Sequence, residues 1–214
     1  DLGEVLYAAG TFLTSSHDTQ VLWRKASTPA QQEAASGASW PENGDLFGVK
    51  VKARQYWVQS LLPAVSKEEL RQAGEAYPAA IAERYLALPA SVPERVISLA
   101  KQVSAGATNP YQKASAIEAY LREIPYSLEV PPPPADRDVA DYFLFDLRQG
   151  YCDYYATAMV VMARSVGLPA RLVIGYARGA YNPYQAQFVV TAADAHSWVE
   201  VYFPRYGWIE FDPT

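Results

Sequence analysis

The sequence is poor in the residues that usually build metal and redox sites. In 214 residues it has one cysteine, Cys152, and two histidines, His17 and His196. One cysteine excludes an internal disulfide and leaves no thiolate cluster for a zinc or iron–sulfur site. Cysteine usage therefore says little about redox compartment. No Asp/Asn-rich loop of the calcium type occurs, so no metal and no other cofactor is expected. The net charge is −5 and no basic cluster appears, which argues against nucleic acid as a partner. No run of eighteen apolar residues is present, so no segment is expected to span a membrane. The chain begins at Asp1, without an initiator Met or a signal peptide, and is read as an excised soluble piece of a longer protein. Half of the residues are hydrophobic and only 19% are charged. That composition belongs to a folded chain able to bury a sizeable core.

The lone cysteine lies in Gly150-Tyr151-Cys152-Asp153-Tyr154-Tyr155. Tyr155, Met159, Met162 and Val166 then recur at spacings of three and four, one face of a helix. Gly167 stands at a C-cap position with Pro169 just beyond. Cys152 is therefore expected in the first helical turn, where free N–H groups and the dipole favour an anion such as a thiolate nucleophile. A lone cysteine is equally read as a small buried hydrophobe. Downstream, Ala193 to Phe203 reads as a strand that starts near His196, and Trp208 to Asp212 as the next strand. Pro204-Arg205-Tyr206-Gly207 between them is turn chemistry, so the two should form a hairpin with His196 and Asp212 at one open end. A carboxylate there can fix the imidazole tautomer and leave the other ring nitrogen to take a proton from Cys152.

Four blocks carry a resemblance: Gly150-Tyr151-Cys152; Gly167-Leu168-Pro169-Ala170-Arg171 through Gly175-Tyr176; Asp194-Ala195-His196-Ser197-Trp198-Val199-Glu200-Val201; and Gly207-Trp208 with Asp212-Pro213-Thr214. In this order they resemble the transglutaminase-like superfamily over roughly residues 63–214. Within it they look most like bacterial membrane-anchored proteins with an extracytoplasmic transglutaminase-like domain. The resemblance implies an α+β fold with a papain-like core, a cysteine helix packed on an antiparallel sheet. It places the catalytic Cys, His and Asp on Cys152, His196 and Asp212. It also implies transmembrane helices flanking this piece in the parent protein. Ser197, where the family usually has another small residue, is a mild departure.

Residues 1–62 are expected to form a β-rich N-terminal subdomain, and 63–214 the transglutaminase-like domain. Glu4–Leu13 and Gln20–Lys25 are strand-like, Phe47–Arg54 alternates strictly, and Thr28–Gly44 reads as a surface loop. This region is either a substrate-docking lid or a packing platform. His17 falls in a probable turn and reads as a surface residue rather than a base. Ser66-Lys67-Glu68-Glu69 is a capping box for a helix to about Ala76; Ala79–Ala87 resumes a helical pattern. Ser91-Val92-Pro93-Glu94 reads as a second capping box with Pro at the first helical position, and Asn109-Pro110 opens a third helix. The prolines of Val130–Pro134 read as a stiff connector, and Tyr142–Phe145 should pack under the cysteine helix.

Further site candidates are weaker. Gln149 could help the Cys152 N–H form an oxyanion hole, or simply cap the helix. Tyr151, Trp198 and Tyr184 are candidate substrate contacts, with Tyr181–Tyr184 a loop at the rim of an acyl groove. Asp153 and Asp194 are left out of the triad, and Arg171 and Arg178 could meet an acidic substrate or be solvated. The expected chemistry is acyl transfer from a protein or peptide amide, a Gln donor to an amine, through a thioester, with cell-wall-associated substrates included. The alternatives are a hydrolytic cysteine protease or amidase of the same fold, and a non-catalytic ectodomain that binds cell wall or protein.

Overall fold

A computed structural model describes residues 5–23 and 46–214. The expected Thr28–Gly44 loop, and the ends of the first two strand-like runs at Glu4 and at Arg24–Lys25, lie outside the described residues. Contacts divide the chain into two units, Asp1–Ser66 and Lys67–Thr214.

In the first unit, β1 (Thr11–Ser15) pairs antiparallel with β4 (Val58–Leu61), and β2 (Thr19–Trp23) pairs antiparallel with β3 (Leu46–Val51). The strict alternation expected from Phe47 onward appears in β3, where Val49 and Val51 are buried with Leu6 and Phe12 and Lys50 is exposed. His17 sits in the bend after β1, exposed, with Nδ1 2.9 Å from Ser16 Oγ.

The second unit opens with α1 (Lys67–Arg71) and α2 (Ala79–Tyr85). The first is shorter than its pattern suggests: the chain turns after Arg71, and Gly74 takes φ +75° where a helix needs a negative value. In α3 (Glu94–Val103), Pro93 occupies the N-cap itself, and no side chain caps the helix. The Ser91 capping box is therefore not formed. Pro93 is extended at ψ 146°, one residue before the first helical position. In α4 (Pro110–Arg122) the expected cap is present: Asn109 Oδ1 accepts the Gln112 N–H at 3.0 Å, with Pro110 at the first position.

A short α5 (Val139–Asp141) runs directly into a π-helical stretch, Tyr142–Leu147. The Arg148 N–H reaches the Phe143 carbonyl five residues back at 3.1 Å, and Arg148 is left-handed at φ 56°. Such stretches are rare and often adjoin functional sites. Here Phe143 and Leu144 are fully buried, and Phe143 stacks on Tyr154 and meets Tyr155 at a tilt, both on the helix that follows. Phe143 thus packs as expected of Tyr142–Phe145, while Tyr142 and Phe145 stay half-buried, the latter under Arg95. The turn is pinned by Asp141, whose side chain is 4% exposed and binds Arg95 and Arg137; Asp146 binds both arginines as well.

The helix α6 (Cys152–Ser165) carries a buried face of Tyr155, Met159 and Met162. It ends in a Schellman motif: Leu168 N–H bonds Ala163 O at 3.0 Å, Gly167 N–H bonds Arg164 O at 3.1 Å, and Gly167 supplies φ +81°. The helix packs on β5 (Ala170–Tyr176) and β8 (Ala195–Phe203). With β9 (Gly207–Phe211) these form an antiparallel sheet of order β5-β8-β9. The paired residues Ala170 and Val201, and Val199 and Phe211, place one sheet face against α6. On the other face Tyr202 and Trp208 pack with Tyr85 and Ile81 of α2. Between β5 and β8 lies a two-stranded hairpin, β6 (Ala180–Asn182) and β7 (Gln187–Val189). The Tyr181–Tyr184 stretch is thus partly strand, because Asn182 Oδ1 accepts the Tyr184 and Gln185 N–H groups and closes a turn. No described helix is long and apolar enough to cross a membrane.

The Arg95 guanidinium beside Asp141, followed by Arg137, holds that carboxyl below its ordinary value against the pull of burial. A depressed carboxyl contributes stability that is complete above its unfolded value of about 3.9 and is lost as pH falls through the lower folded value. Asp141→Asn is expected to lower Tm by roughly 3–6 °C at neutral pH. Acid titration of stability should also show a shallower loss below pH of about 4 than in the parent. An unchanged Tm would mean the two arginines contribute nothing to the turn that precedes α6.

Candidate active site

Cys152 is the first residue of α6, and Tyr151 is the N-cap with no side-chain cap bond. Gln149 is exposed and makes no such cap, so the capping reading for it fails; as a potential oxyanion donor it lies three residues before the thiol. The Cys152 thiol lies 3.9 Å from Asp153 Oδ1 and beside the Tyr126 phenol, and among the described residues it makes no hydrogen bond to His196. The same carboxylate oxygen accepts the Ser197 hydroxyl at 2.5 Å. Ser197 is 2% exposed. The residue after Cys152 is therefore bonded to the residue after His196, which brings the start of α6 and the start of β8 together.

His196 is the second residue of β8, and Asp212 follows the last residue of β9. Their side chains meet, His196 Nε2 to Asp212 Oδ2 at 2.9 Å, while Nδ1 has no bonded partner among the described residues. The second carboxylate oxygen accepts both the N–H and the hydroxyl of Thr214, at 3.1 and 2.7 Å. Burial works against the Asp212 charge, but the His196 bond and the two Thr214 bonds outweigh it and hold the carboxyl below its usual range. Asp212 is therefore ionised at neutral pH, with Nε2–H as the donor to it.

Trp198 stacks on His196 with ring centroids 6.2 Å apart and 27° between planes. Its ring crosses β5 at Gly175, the register partner of His196, where an added Cβ would lie 2.7 Å from the indole. The Trp198 Nε1 is buried with no bonded partner among the described residues. Tyr151 packs edge-on against Tyr154 at 5.1 Å. Tyr184 is 97% exposed in the β6–β7 turn. Arg171 is bonded to Glu200 at 2.6 Å and lies over Trp208, so it belongs to the sheet, whereas Arg178 lies over Phe188 of the hairpin.

Sequence reasoning missed Tyr126. It bridges to Gly150 in parallel, and Ser127 N–H bonds Gly150 O at 2.7 Å. Desolvation, reinforced by Cys152 beside it, pushes its phenol up. It also missed Glu118 and Arg122, which reach Asp212 from α4. On the sequence these two are only an i,i+4 acid–base pair of the sort found on any helix surface.

Residues 97–213 match the transglutaminase-like superfamily. The chain belongs to this family. YebA of Bacillus subtilis (strain 168) is 42% identical over 160 residues, 72% of this chain and 21% of that protein. A protein-glutamine gamma-glutamyltransferase of Pseudomonas aeruginosa PAO1 is 37% identical over 131 residues, 61% of this chain and 20% of that protein. The chain thus spans about a fifth of the length of these relatives. The crystal structure of the periplasmic domain of TgpA from Pseudomonas aeruginosa aligns with a TM-score of 0.64 at 32% identity, covering 79% of this chain and 58% of that one. The α+β, papain-like architecture is that of the superfamily.

Two substitutions probe how this family member holds its site. Ser197→Ala removes a buried hydroxyl bonded to a carboxylate and is expected to cost about 1.5–3 kcal/mol in urea unfolding. A cost below about 0.5 kcal/mol would show that the Asp153–Ser197 link does not hold α6 to β8. Gly175→Ala places its Cβ against the Trp198 ring, so the ring must leave His196. The expected result is a stability loss of about 1–3 kcal/mol and a shifted Trp198 indole N–H resonance. An unmoved resonance would contradict the close approach.

Proposed function

We propose that this chain is the catalytic part of a cysteine-dependent acyltransferase acting on glutamine carboxamides of proteins or peptides. The observation that carries the reading is the His196–Asp212 bond through Nε2, which leaves Nδ1 as the nitrogen able to hold a proton for a nucleophile. Cys152 is the nucleophile, His196 the base and then the acid, and Asp212 the residue that fixes the tautomer. The thiol gives its proton to His196 Nδ1, and the sulfur attacks the carboxamide carbon. The C–N bond breaks, His196 returns the proton to the leaving nitrogen, and ammonia departs, leaving a thioester on Cys152. An amine then attacks the thioester carbon, gives a proton to His196, and the C–S bond breaks to restore the thiol. Water in place of the amine gives hydrolysis by the same groups. The backbone N–H of Cys152 at the helix start is a candidate oxyanion donor, with Gln149 as a second.

Support for the transferase assignment comes from the superfamily and from the Pseudomonas relative named as a glutamine gamma-glutamyltransferase. We place the chain outside the cytoplasm of a bacterium, in a parent protein anchored by flanking transmembrane helices. The TgpA neighbour, a periplasmic domain, supports that placement. The substrates are proteins or peptides, with cell-wall peptides among them. Tyr151, Trp198 and Tyr184 remain candidate contacts for them.

The deciding assay incubates the parent and Cys152→Ala with a glutamine-containing peptide and a labelled primary amine, following label and ammonia separately. The expected outcome is label incorporation with equal ammonia release, lowered at least about a thousandfold in Cys152→Ala. Ammonia without label would make the chain a hydrolase. Neither product, in a protein whose Cys152 reacts readily with iodoacetamide, would leave the binding-module reading in its place.

A further inference from the structure

Asp212 lies just past the end of β9, so its own N–H and C=O fall outside the sheet ladder. Such groups need partners when they are shielded from water. Both partners come from one turn of α4. Glu118 Oε1 accepts the Asp212 N–H at 3.1 Å. Arg122 donates from Nε and Nη2 to the Asp212 carbonyl, at 2.9 and 2.5 Å. The two clamping side chains are themselves paired at 3.3 Å, four residues apart on the helix. Glu118 is the more buried of the two: its side chain is 20% exposed and that of Arg122 50%. Burial pushes the Glu118 carboxyl up, against the opposing pull of Arg122 and of the Asp212 N–H.

We infer that Glu118 and Arg122 are positioning residues for the His196–Asp212 pair, holding the Asp212 peptide so that its carboxylate keeps the His196 tautomer. The inference rests on the reading of Cys152 and His196 as nucleophile and base. Three constraints converge on this one residue. Pro213 restricts the backbone before it to extended conformations. Thr214 fixes one carboxylate oxygen. The clamp fixes the two ends of the residue in space. With both ends held and Oδ1 bonded to Thr214, Oδ2 lies 2.9 Å from Nε2. Without the clamp the segment after β9 is tied down only by its own local bonds. A displacement of about 1 Å at such a site can cost on the order of a hundredfold in rate.

The test compares Glu118→Ala, Glu118→Gln, Arg122→Met and His196→Ala with the parent. Arg122→Met keeps most of the stem and replaces a half-exposed group, so it guards against a result that reflects only misfolding. Two readouts are taken on each folded variant. One is the iodoacetamide rate at Cys152, which needs no substrate. The other is the imidazole N–H resonance shared with Asp212, resolvable because the chain has two histidines and His17 lies in the first unit. Glu118→Ala and Arg122→Met are expected to slow alkylation roughly 10- to 100-fold and to weaken or lose the His196 N–H signal. Glu118→Gln keeps an oxygen that accepts the Asp212 N–H, and so should stay within about threefold of the parent. Parental rate and an intact His196 signal in folded Glu118→Ala and Arg122→Met would overturn the inference and make the clamp a stability feature only. A His196→Ala protein that alkylates as fast as the parent would instead sink the nucleophile–base reading. The N–H signal then still reports whether the clamp holds Asp212 on the ring.

Discussion

The site depends on the first turn of α6 being held against β8. Helix packing does most of this. Tyr155, Met159 and Met162 on α6 are buried, as are Val199 and Val201 on β8. Packing alone fixes a helix axis more firmly than the position of its end, and Cys152, the proposed nucleophile, is the first residue of the helix. The Asp153–Ser197 bond completes the task at the end itself. Asp153 follows Cys152 and Ser197 follows His196, so the bond limits the separation of Cys152 and His196 to what two short stretches of backbone allow. A buried hydroxyl needs an acceptor. Moving α6 off β8 would strand Ser197, and that cost ties the geometry of the site to the integrity of the core.

Two aspartates lie beside the proposed nucleophile and base, and the structure separates their roles. Asp153 is exposed, one oxygen is taken by Ser197, and the thiol leans on that same oxygen. Asp212 reaches the imidazole and has every polar group engaged: one carboxylate oxygen on His196, the other on Thr214, the N–H on Glu118 and the C=O on Arg122. A carboxylate so fully bonded is a rigid acceptor, which is what fixing a tautomer requires. The hairpin pointed to Asp212 from sequence alone, through the turn at Pro204–Gly207 and the alternation of its strands. The bonds supply the reason Asp153 is not a substitute: its carboxylate accepts the Ser197 hydroxyl, while the imidazole of His196 meets Asp212.

What was legible in the sequence is what depends on short spacings. The cysteine helix, its Gly167 terminus, the Asn109 cap and the hairpin carrying His196 all have signals within a few residues. Local signals also misled where two readings share one pattern. Ser91-Val92-Pro93-Glu94 fits a capping box with proline one position into the helix, but the structure puts Pro93 at the cap itself. Tyr142–Phe145 was expected to pack under the cysteine helix, and Phe143 does, but nothing in the spacing distinguishes a π turn from an ordinary lead-in. The Asp212 clamp was invisible for another reason. Glu118 and Arg122 lie 94 and 90 residues from the group they hold, and each is already accounted for as half of a surface pair. Ser197 was likewise passed over as a mild substitution, since its worth lies in a bond to a residue 44 positions away.

On the proposed reading, the choice between amine and water is made above the triad rather than in it. Nothing in the His196–Asp212 arrangement distinguishes the two acceptors. The residues that flank it do have a common character. Ile174, the register partner of Ser197, is 76% exposed, and Tyr126, the bridge partner of Gly150, is 53% exposed. Apolar surface left open at both the histidine side and the cysteine side is surface that a bound polypeptide would cover. Covering it expels water from the thioester and strengthens every electrostatic contact within. On that reading the free site is open to solvent, and a bound donor peptide would supply the wall that protects the thioester. Partitioning should accordingly depend on the length and apolarity of the donor peptide, because those properties set how completely the rim is closed.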